Sequence, residues 1–238
     1  MITVSIISHG QIQLCKTIIN QLVKIKLIEK IILTLNIDEK INFKLNKKII
    51  LIRNKKPRGF GENHNKAFKL CRTQFFCVLN PDIKLIKNPF KILIKQINKE
   101  TALVAPQIVN KNLVNEDNAR VFPSPLSILM KLFFNYTGTY EINKNSENIY
   151  PDWIAGMFMI FSSNIFKKIR GFDEKFYLYY EDVDICCRLK KLKKNILVNT
   201  KIKVIHDARR ASRKNIYFFR FHIMSIFLYF FKNFGRLP

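Results

Sequence analysis

Acidic residues are scarce: 17 Asp and Glu stand against 42 Lys and Arg in a chain of 238 residues, leaving a net charge of +25. A surface that positive favours anionic partners: lipid headgroups, a nucleotide diphosphate or nucleic acid. The lysines are spread along the whole chain among many Ile and Asn, so the charge alone selects none of these. Cysteine is also sparse, at 5 residues, with no Cys-x-x-Cys. That odd count argues against a zinc knuckle or a disulfide framework and fits buried thiols in a reducing compartment. No run approaches the ~20 apolar residues needed to span a bilayer. No internal repeat is present. Met1 leads straight into an apolar run, so no leader peptide is expected. The chain is 48% hydrophobic and 25% charged, which describes a globular protein. Its length suffices for a substantial core in one domain, or one domain with a small appendage.

Hydrophobic periodicity predicts strands at residues 2–8, 30–35, 48–52 and 75–79, with a further strand starting at 103–105. Helices are expected at 11–26, 62–71 and 90–98. Strands alternating with helices imply an α/β layer with a mostly parallel sheet. In such a sheet ligands bind beyond the carboxyl ends of the strands. Three clusters fall there: Ser8-His9, the loop 54–61 with Pro57, Gly59 and Gly61, and Asn80-Pro81-Asp82. Beyond Val109 the pattern loosens. Residues 110–118 read as a polar hairpin or loop, 126–134 as an apolar helix, and 135–150 as a polar segment.

Against the basic background, Asp173, Glu174, Glu181, Asp182 and Asp184 gather in one short stretch beside Tyr177, Tyr179 and Tyr180. A helix is expected over 181–193, acidic in its first turn and basic in its last, as its dipole prefers. Three acids in one turn exceed what a cap needs, so one of them is a candidate general base, with the tyrosines placed to stack on a sugar ring. Asp82 is either a turn cap or a ligand for a hard cation that bridges diphosphate oxygens. His206 is a candidate second ligand beside it. Arg209, Arg210 and Arg213 are candidate diphosphate clamps. The loop Gly59-Phe60-Gly61-Glu62 enters a helix and offers backbone N–H groups to a phosphate. It is neither a Rossmann fingerprint nor a Walker loop.

The ordered set of these pieces resembles glycosyltransferase family 2, of GT-A fold, and within it the bacterial rhamnosyltransferase-like members. The pieces are Val4 to Gly10, Asn54 to Asn65, Leu79-Asn80-Pro81-Asp82, Trp153-Ile154-Ala155-Gly156, Gly171-Phe172-Asp173-Glu174, Glu181-Asp182-Val183-Asp184 and His206 to Ser212. The resemblance implies a Rossmann-like, mostly parallel sheet flanked by helices, with a C-terminal amphipathic helix. It implies Asp182 as catalytic base with Glu181 beside it, and Asp82 with His206 on Mg2+ or Mn2+. Asn80 stands where the family's Asp-x-Asp motif has its first acid. Ser8, His9, Asn54, Arg58, Gly59, Asn65, Asn80, Arg209 and Arg210 would line the donor site. Where many members carry Asp-Asn for the base, this chain has Leu35-Asn36.

The implied reaction is an inverting transfer from a dTDP- or UDP-sugar, L-rhamnose among the candidates, to a lipid-linked or polysaccharide acceptor at the inner face of the cell membrane. The implied division is a catalytic domain over 1–210, with a nucleotide-sugar half at 1–110 and an acceptor half at 111–210. A membrane-associating tail follows at 211–238. In that tail His222, Ser225, Tyr229 and Lys232 share one helical face, opposite a wide apolar one flanked by Arg220, Lys232 and Arg236. Two rival functions were weighed. A nucleic-acid-binding protein accounts for the charge but not for the acids or the glycine loop, and no recognition motif is present. A nucleotidyltransferase would carry a glycine-rich basic loop after the first strand, which Ser8-His9-Gly10-Gln11 does not match.

Overall fold

The computed structural model describes residues 1–134, 138–140, 146–206 and 216–233. Its strands are β1 (Ile2–Ser8), β2 (Ile28–Leu35), β3 (Ile49–Arg53), β4 (Phe75–Leu79), β5 (Ile83–Leu85), β6 (Thr101–Val109), β7 (Ala119–Arg120), β8 (Asn148–Ile149), β9 (Trp153–Ile154), β10 (Phe158–Ser162) and β11 (Asn195–His206). Its helices are α1 (Ile12–Leu22), α2 (Phe60–Phe68), α3 (Phe90–Lys95), α4 (Pro125–Phe134), α5 (Ser163–Lys168), α6 (Glu181–Lys191) and α7 (Ile216–Asn233).

One large sheet runs in the order β3-β2-β1-β4-β10-β6-β11-β5, with β8 paired to β11. Its first four strands are parallel, as expected from the sequence. The other half is mixed: β10 lies antiparallel to both β4 and β6, and β11 runs parallel to β6 but antiparallel to β5. The chain order reverses around β1, which has β2 on one side and β4 on the other. That is the switch point at which an open α/β sheet forms its ligand crevice.

Alternation along the strands sorts the core into two faces. Ile2, Val4 and Ile6 of β1 join Phe75, Cys77 and Leu79 of β4 in a cluster covered by α1 and α3. Phe76 and Val78 face the other way, towards Ala67 of α2, Phe166 of α5 and Ile185 of α6. Phe68, Phe76, Phe161, Phe166 and Phe172 there form edge-on and tilted pairs with centroids 4.6–6.3 Å apart. Such pairs each add about 0.5–1.5 kcal/mol beyond simple burial. On that face β1 presents Ser5, whose hydroxyl is 2.8 Å from His64 Nδ1. Burial holds the His64 imidazole down at about 3, so it stays neutral and belongs to the core.

The turn after α5 fixes the approach to the acidic stretch. Gly171 has φ +65, and its N–H closes the helix end on Phe166 O at 2.9 Å. The Asn65 side chain bonds both backbone groups of Phe172, each at 2.9 Å. A Cβ on Gly171 would stand 2.2 Å from Asn65 Oδ1. Gly171→Ala therefore adds left-handed strain to the loss of those bonds. It is expected to lower stability by about 2–4 kcal/mol, read as a shifted urea midpoint with unchanged slope.

Candidate active site

The carboxyl ends of β1 to β4 border one side of the crevice and carry residues expected to line a donor site. Three asparagines tie them together. Asn36 Oδ1 accepts from Asn54 Nδ2 at 3.0 Å, Asn63 Nδ2 at 3.1 Å and Arg58 N at 2.8 Å. Asn36 Nδ2 in turn donates to Arg58 O at 2.9 Å and lies 3.2 Å from His9 Nδ1. This knot fixes the loop 54–61 against the end of β2, and Asn54 takes part in it. Ser8 Oγ donates to Glu39 Oε2 at 2.9 Å, and the same oxygen caps the N-terminus of α1 through Ile12 N at 3.0 Å. Glu39, absent from the sequence reading, leaves its other oxygen buried without a partner. Arg58 pairs with Glu62 one turn on. Asn65 is occupied with Phe172 and with Glu174 Oε1, at 2.9 Å.

The two glycines of that loop also have a packing role. A Cβ on Gly59 would meet Tyr177 O at 2.7 Å, and one on Gly61 would meet Phe172 Cβ at 2.7 Å. Phe60 N donates to Tyr177 O at 3.0 Å. The glycines thus let the segment 172–177 lie directly on the start of α2.

Across the crevice, β5 pairs with β11 so that His206 stands opposite Ile83, next to Asp82. His206 Nε2 lies 3.3 Å from Asp82 Oδ2, and its Nδ1 lies 2.7 Å from Glu116 Oε2. Burial would lower the imidazole pKa, but the two carboxylates outweigh it and raise it. Asp82 Oδ1 is buried without a partner. Among the described residues no group of three or more His, Cys, Asp or Glu could hold a metal ion by itself. One carboxylate with a free oxygen and one imidazole do fit an ion that takes its remaining ligands from diphosphate and water. Glu116, which the sequence reading left inside a polar loop, orients the imidazole from behind, a common arrangement for metal-binding histidines. The loop reaches it because Glu116 N bonds Ile108 O at 2.9 Å. Asp207, Arg209, Arg210 and Arg213 lie outside the described residues.

The acidic stretch separates into structural and reactive groups. Asp184 takes Arg188 at 2.7 Å and Lys232 of α7 at 2.5 Å. Asp173 takes the same Lys232 at 2.7 Å, and the net effect of these contacts, against burial, is a lowered pKa. Among the described residues Glu181 and Asp182 form no such salt bridge, although the charge of Arg120 acts on Asp182. Asp182 accepts from Gly156 N at 3.1 Å through one oxygen and from Val183 N at 2.9 Å through the other. Burial pushes its pKa up while these N–H groups pull it back. Glu181 is buried, with one oxygen unpartnered. Burial first, and then the charge of Asp182, raise its pKa well above the usual range. Of the two, Glu181 is the more strongly pushed towards its protonated form, while the two N–H groups on Asp182 favour its carboxylate.

Asp182 faces a cavity of about 190 Å³ that Arg120, Trp153, Tyr179 and His222 also line. Tyr179 and Tyr180 enter α6 with φ 69 and 66. Left-handed backbone at two consecutive bulky residues is strained, and such strain gathers at functional sites. The turn is braced by α7: Tyr177 stacks on Phe221, His222 sits against both Tyr179 and Tyr180, and Ser225 Oγ donates to Leu178 O at 3.0 Å. The two halves of the crevice meet through backbone, since Asn80 N donates to Met157 O at 2.9 Å and the preceding residue, Gly156, holds Asp182.

Known proteins are similar to this chain in sequence and in fold. The glycosyl transferase family 2 model matches residues 35–170. Rhamnosyltransferase WbbL of Escherichia coli (strain K12) is 27% identical over 188 residues, covering 72% of this chain and 69% of WbbL. The low-salt glycan biosynthesis hexosyltransferase Agl10 of Haloferax volcanii is 28% identical over 134 residues, covering 55% of this chain and 41% of Agl10. Among solved structures, GalNAc-T7 with UDP, GalNAc and Mn2+ superposes with a TM-score of 0.67 at 15% identity, over 88% of this chain and 44% of that one. The mannosyltransferase PcManGT from Pyrobaculum calidifontis, with GDP-Man and Mn2+, gives 0.60 at 9% identity, over 88% and 58%. The chain thus spans about half the length of these solved proteins. With the family model covering more than half of its residues and the sheet order of a GT-A enzyme behind it, this chain belongs to glycosyl transferase family 2.

Proposed function

We propose that this chain transfers a sugar from a nucleotide-sugar donor to an acceptor hydroxyl with inversion at the anomeric carbon. The observation that carries this reading is Asp182: a carboxyl group held by two backbone N–H groups and facing a cavity lined by aromatic side chains. Asp182 takes the proton of the acceptor hydroxyl as its oxygen attacks the anomeric carbon. Its raised pKa brings its basicity closer to that of the proton it accepts. Trp153 and Tyr179 offer faces for a sugar ring, and Arg120, which lies over Trp153 at 5.5 Å, adds positive charge to the same wall. Asp82 and His206 would hold a divalent cation, with Mn2+ better suited than Mg2+ to a carboxylate–imidazole pair. When bound, the ion would neutralise charge on the departing diphosphate.

The donor is a dTDP- or UDP-sugar, with rhamnose favoured by the likeness to WbbL. The acceptor is a glycan on a lipid carrier for cell-surface polysaccharide. The protein reaches it as a peripheral protein on the cytoplasmic leaflet. No helix among the described residues is long and apolar enough to cross a membrane.

Equilibrium binding of UDP-, dTDP- and GDP-sugars, with and without Mn2+ or Mg2+, tests the reading. Metal-dependent binding of one sugar nucleotide is the expected result. Salt-sensitive binding of DNA with no sugar-nucleotide binding would overturn it.

A further inference from the structure

α7 is built inside out. Ser225, Tyr229 and Asn233 are buried, and Tyr229 is 0% exposed. Phe219, Ile223, Met224, Phe227 and Phe231 point away from the domain, with Phe227 71% and Phe231 87% exposed. The polar stripe noted in the sequence therefore docks on the domain, and the apolar stripe faces outwards. α4 repeats the pattern: Leu126, Leu129, Met130, Phe133 and Phe134 are exposed, the two phenylalanines at 75% and 78%. Every exposed phenylalanine among the described residues lies on one of these two helices. Both helices also line the cavity that holds Asp182, α4 through Ser127 and Ile128 and α7 through His222. Their apolar faces thus belong to two helices that both border the same cavity.

We propose that α4 is a second lipid-contacting element and that, together with α7, it seats the mouth of the cavity on an anionic membrane surface. This rests on the reading of the cavity as an acceptor site, because it has the acceptor enter from the bilayer between the two helices. Charge selects lipid as the occupant. Neither helix contains an acidic residue, and Arg220 is exposed within the apolar face of α7. The chain carries +25, so a second copy laid on the same face would set like charge against like, whereas anionic headgroups complement it. A protein bridging both helices would also seal the opening. Phenylalanines on a basic, acid-free helix face are the composition of an interfacial element.

The test is co-sedimentation with vesicles of phosphatidylcholine alone and of phosphatidylcholine with phosphatidylglycerol, with sugar-nucleotide binding measured in parallel. The intact protein is expected to bind the anionic vesicles. The pairs Phe133→Ser with Phe134→Ser on α4, and Phe227→Ser with Phe231→Ser on α7, should each weaken that binding at least tenfold and leave sugar-nucleotide affinity unchanged. Phe133→Trp keeps an apolar side chain, and its fluorescence should shift to the blue on adding anionic vesicles. An α4 pair that binds vesicles like the intact protein, or a Trp at position 133 whose spectrum does not move, overturns the proposal. So does a concentration-dependent dimer that forms in place of vesicle binding. Vesicle binding without sugar-nucleotide binding would sink the donor reading while supporting the lipid surface.

Discussion

Asp182→Asn is expected to lower kcat by about 10²–10⁴-fold, the range supplied by a positioned general base. Donor binding should stay within a few-fold of the intact enzyme, because Asp182 sits on the acceptor side of the crevice among Trp153, Tyr179 and His222. The neighbouring carboxyl is the internal control. Glu181 is buried, and burial and then the charge of Asp182 push its pKa well up, so Glu181→Gln keeps a neutral hydrogen-bonding group of the kind that shift favours. It should retain most of the activity. The same electrostatics set the pH profile. A base with a raised pKa is competent above that pKa and loses activity as pH falls through it. The acid limb of kcat/KM is therefore expected to lie higher than an unperturbed Asp carboxyl would place it and to vanish in Asp182→Asn. If the limb survives in Asp182→Asn with near-normal turnover, another group is the base.

The second large effect is expected at Asp82. Asp82→Asn removes the charge of the carboxylate that His206 Nε2 contacts and alters the oxygen now buried without a partner. Turnover should fall by about two to three orders of magnitude, the scale of losing charge stabilisation on a leaving group. Mn2+ should then no longer tighten the binding of a nucleoside diphosphate. Glu116→Gln makes a graded companion. It leaves both proposed ligands in place but weakens the hold on the imidazole, and such outer partners are worth about 10–100-fold in metal affinity. Mn2+ binding followed by electron paramagnetic resonance reads that loss without reference to turnover. Equal Mn2+ affinity in Asp82→Asn and the intact protein would remove Asp82 from the metal site.

Much of this arrangement can be read from local pattern. The strands 2–8 and 75–79 are dense in β-branched and apolar residues, so their bounds follow from sequence alone. The acids at 181–184 are conspicuous in a basic chain and lie where the helix begins. What escapes such a reading depends on contacts distant in sequence. β10 is a short apolar run behind Gly156, and nothing local announces that it inserts between β4 and β6. Glu116 and Glu39 sit in polar segments where an acid carries no signal; only the pairing of β5 with β11 and the fold of β1 against β2 give them partners. The polar face of α7 reads as a water-facing stripe until Asp173 and Asp184 are seen to need the charge of Lys232. The glycines of loop 54–61 are marked by sequence as a turn or phosphate loop, but their close packing on Phe172 and Tyr177 shows only in the fold.

The brace that α7 places on residues 177–180 also bears on how the protein is made. Synthesis delivers the chain from its N-terminus, and domains tend to fold as their residues emerge. β1 to β4, the asparagine knot and the pairing of Asp82 with His206 all precede residue 207. The contacts that restrain the left-handed Tyr179 and Tyr180 arrive only with residues 216–233. A ribosome-bound chain can thus complete the half proposed to bind the donor while the proposed base, Asp182, is still unsupported. On that proposal, transfer would begin only once α7 has docked.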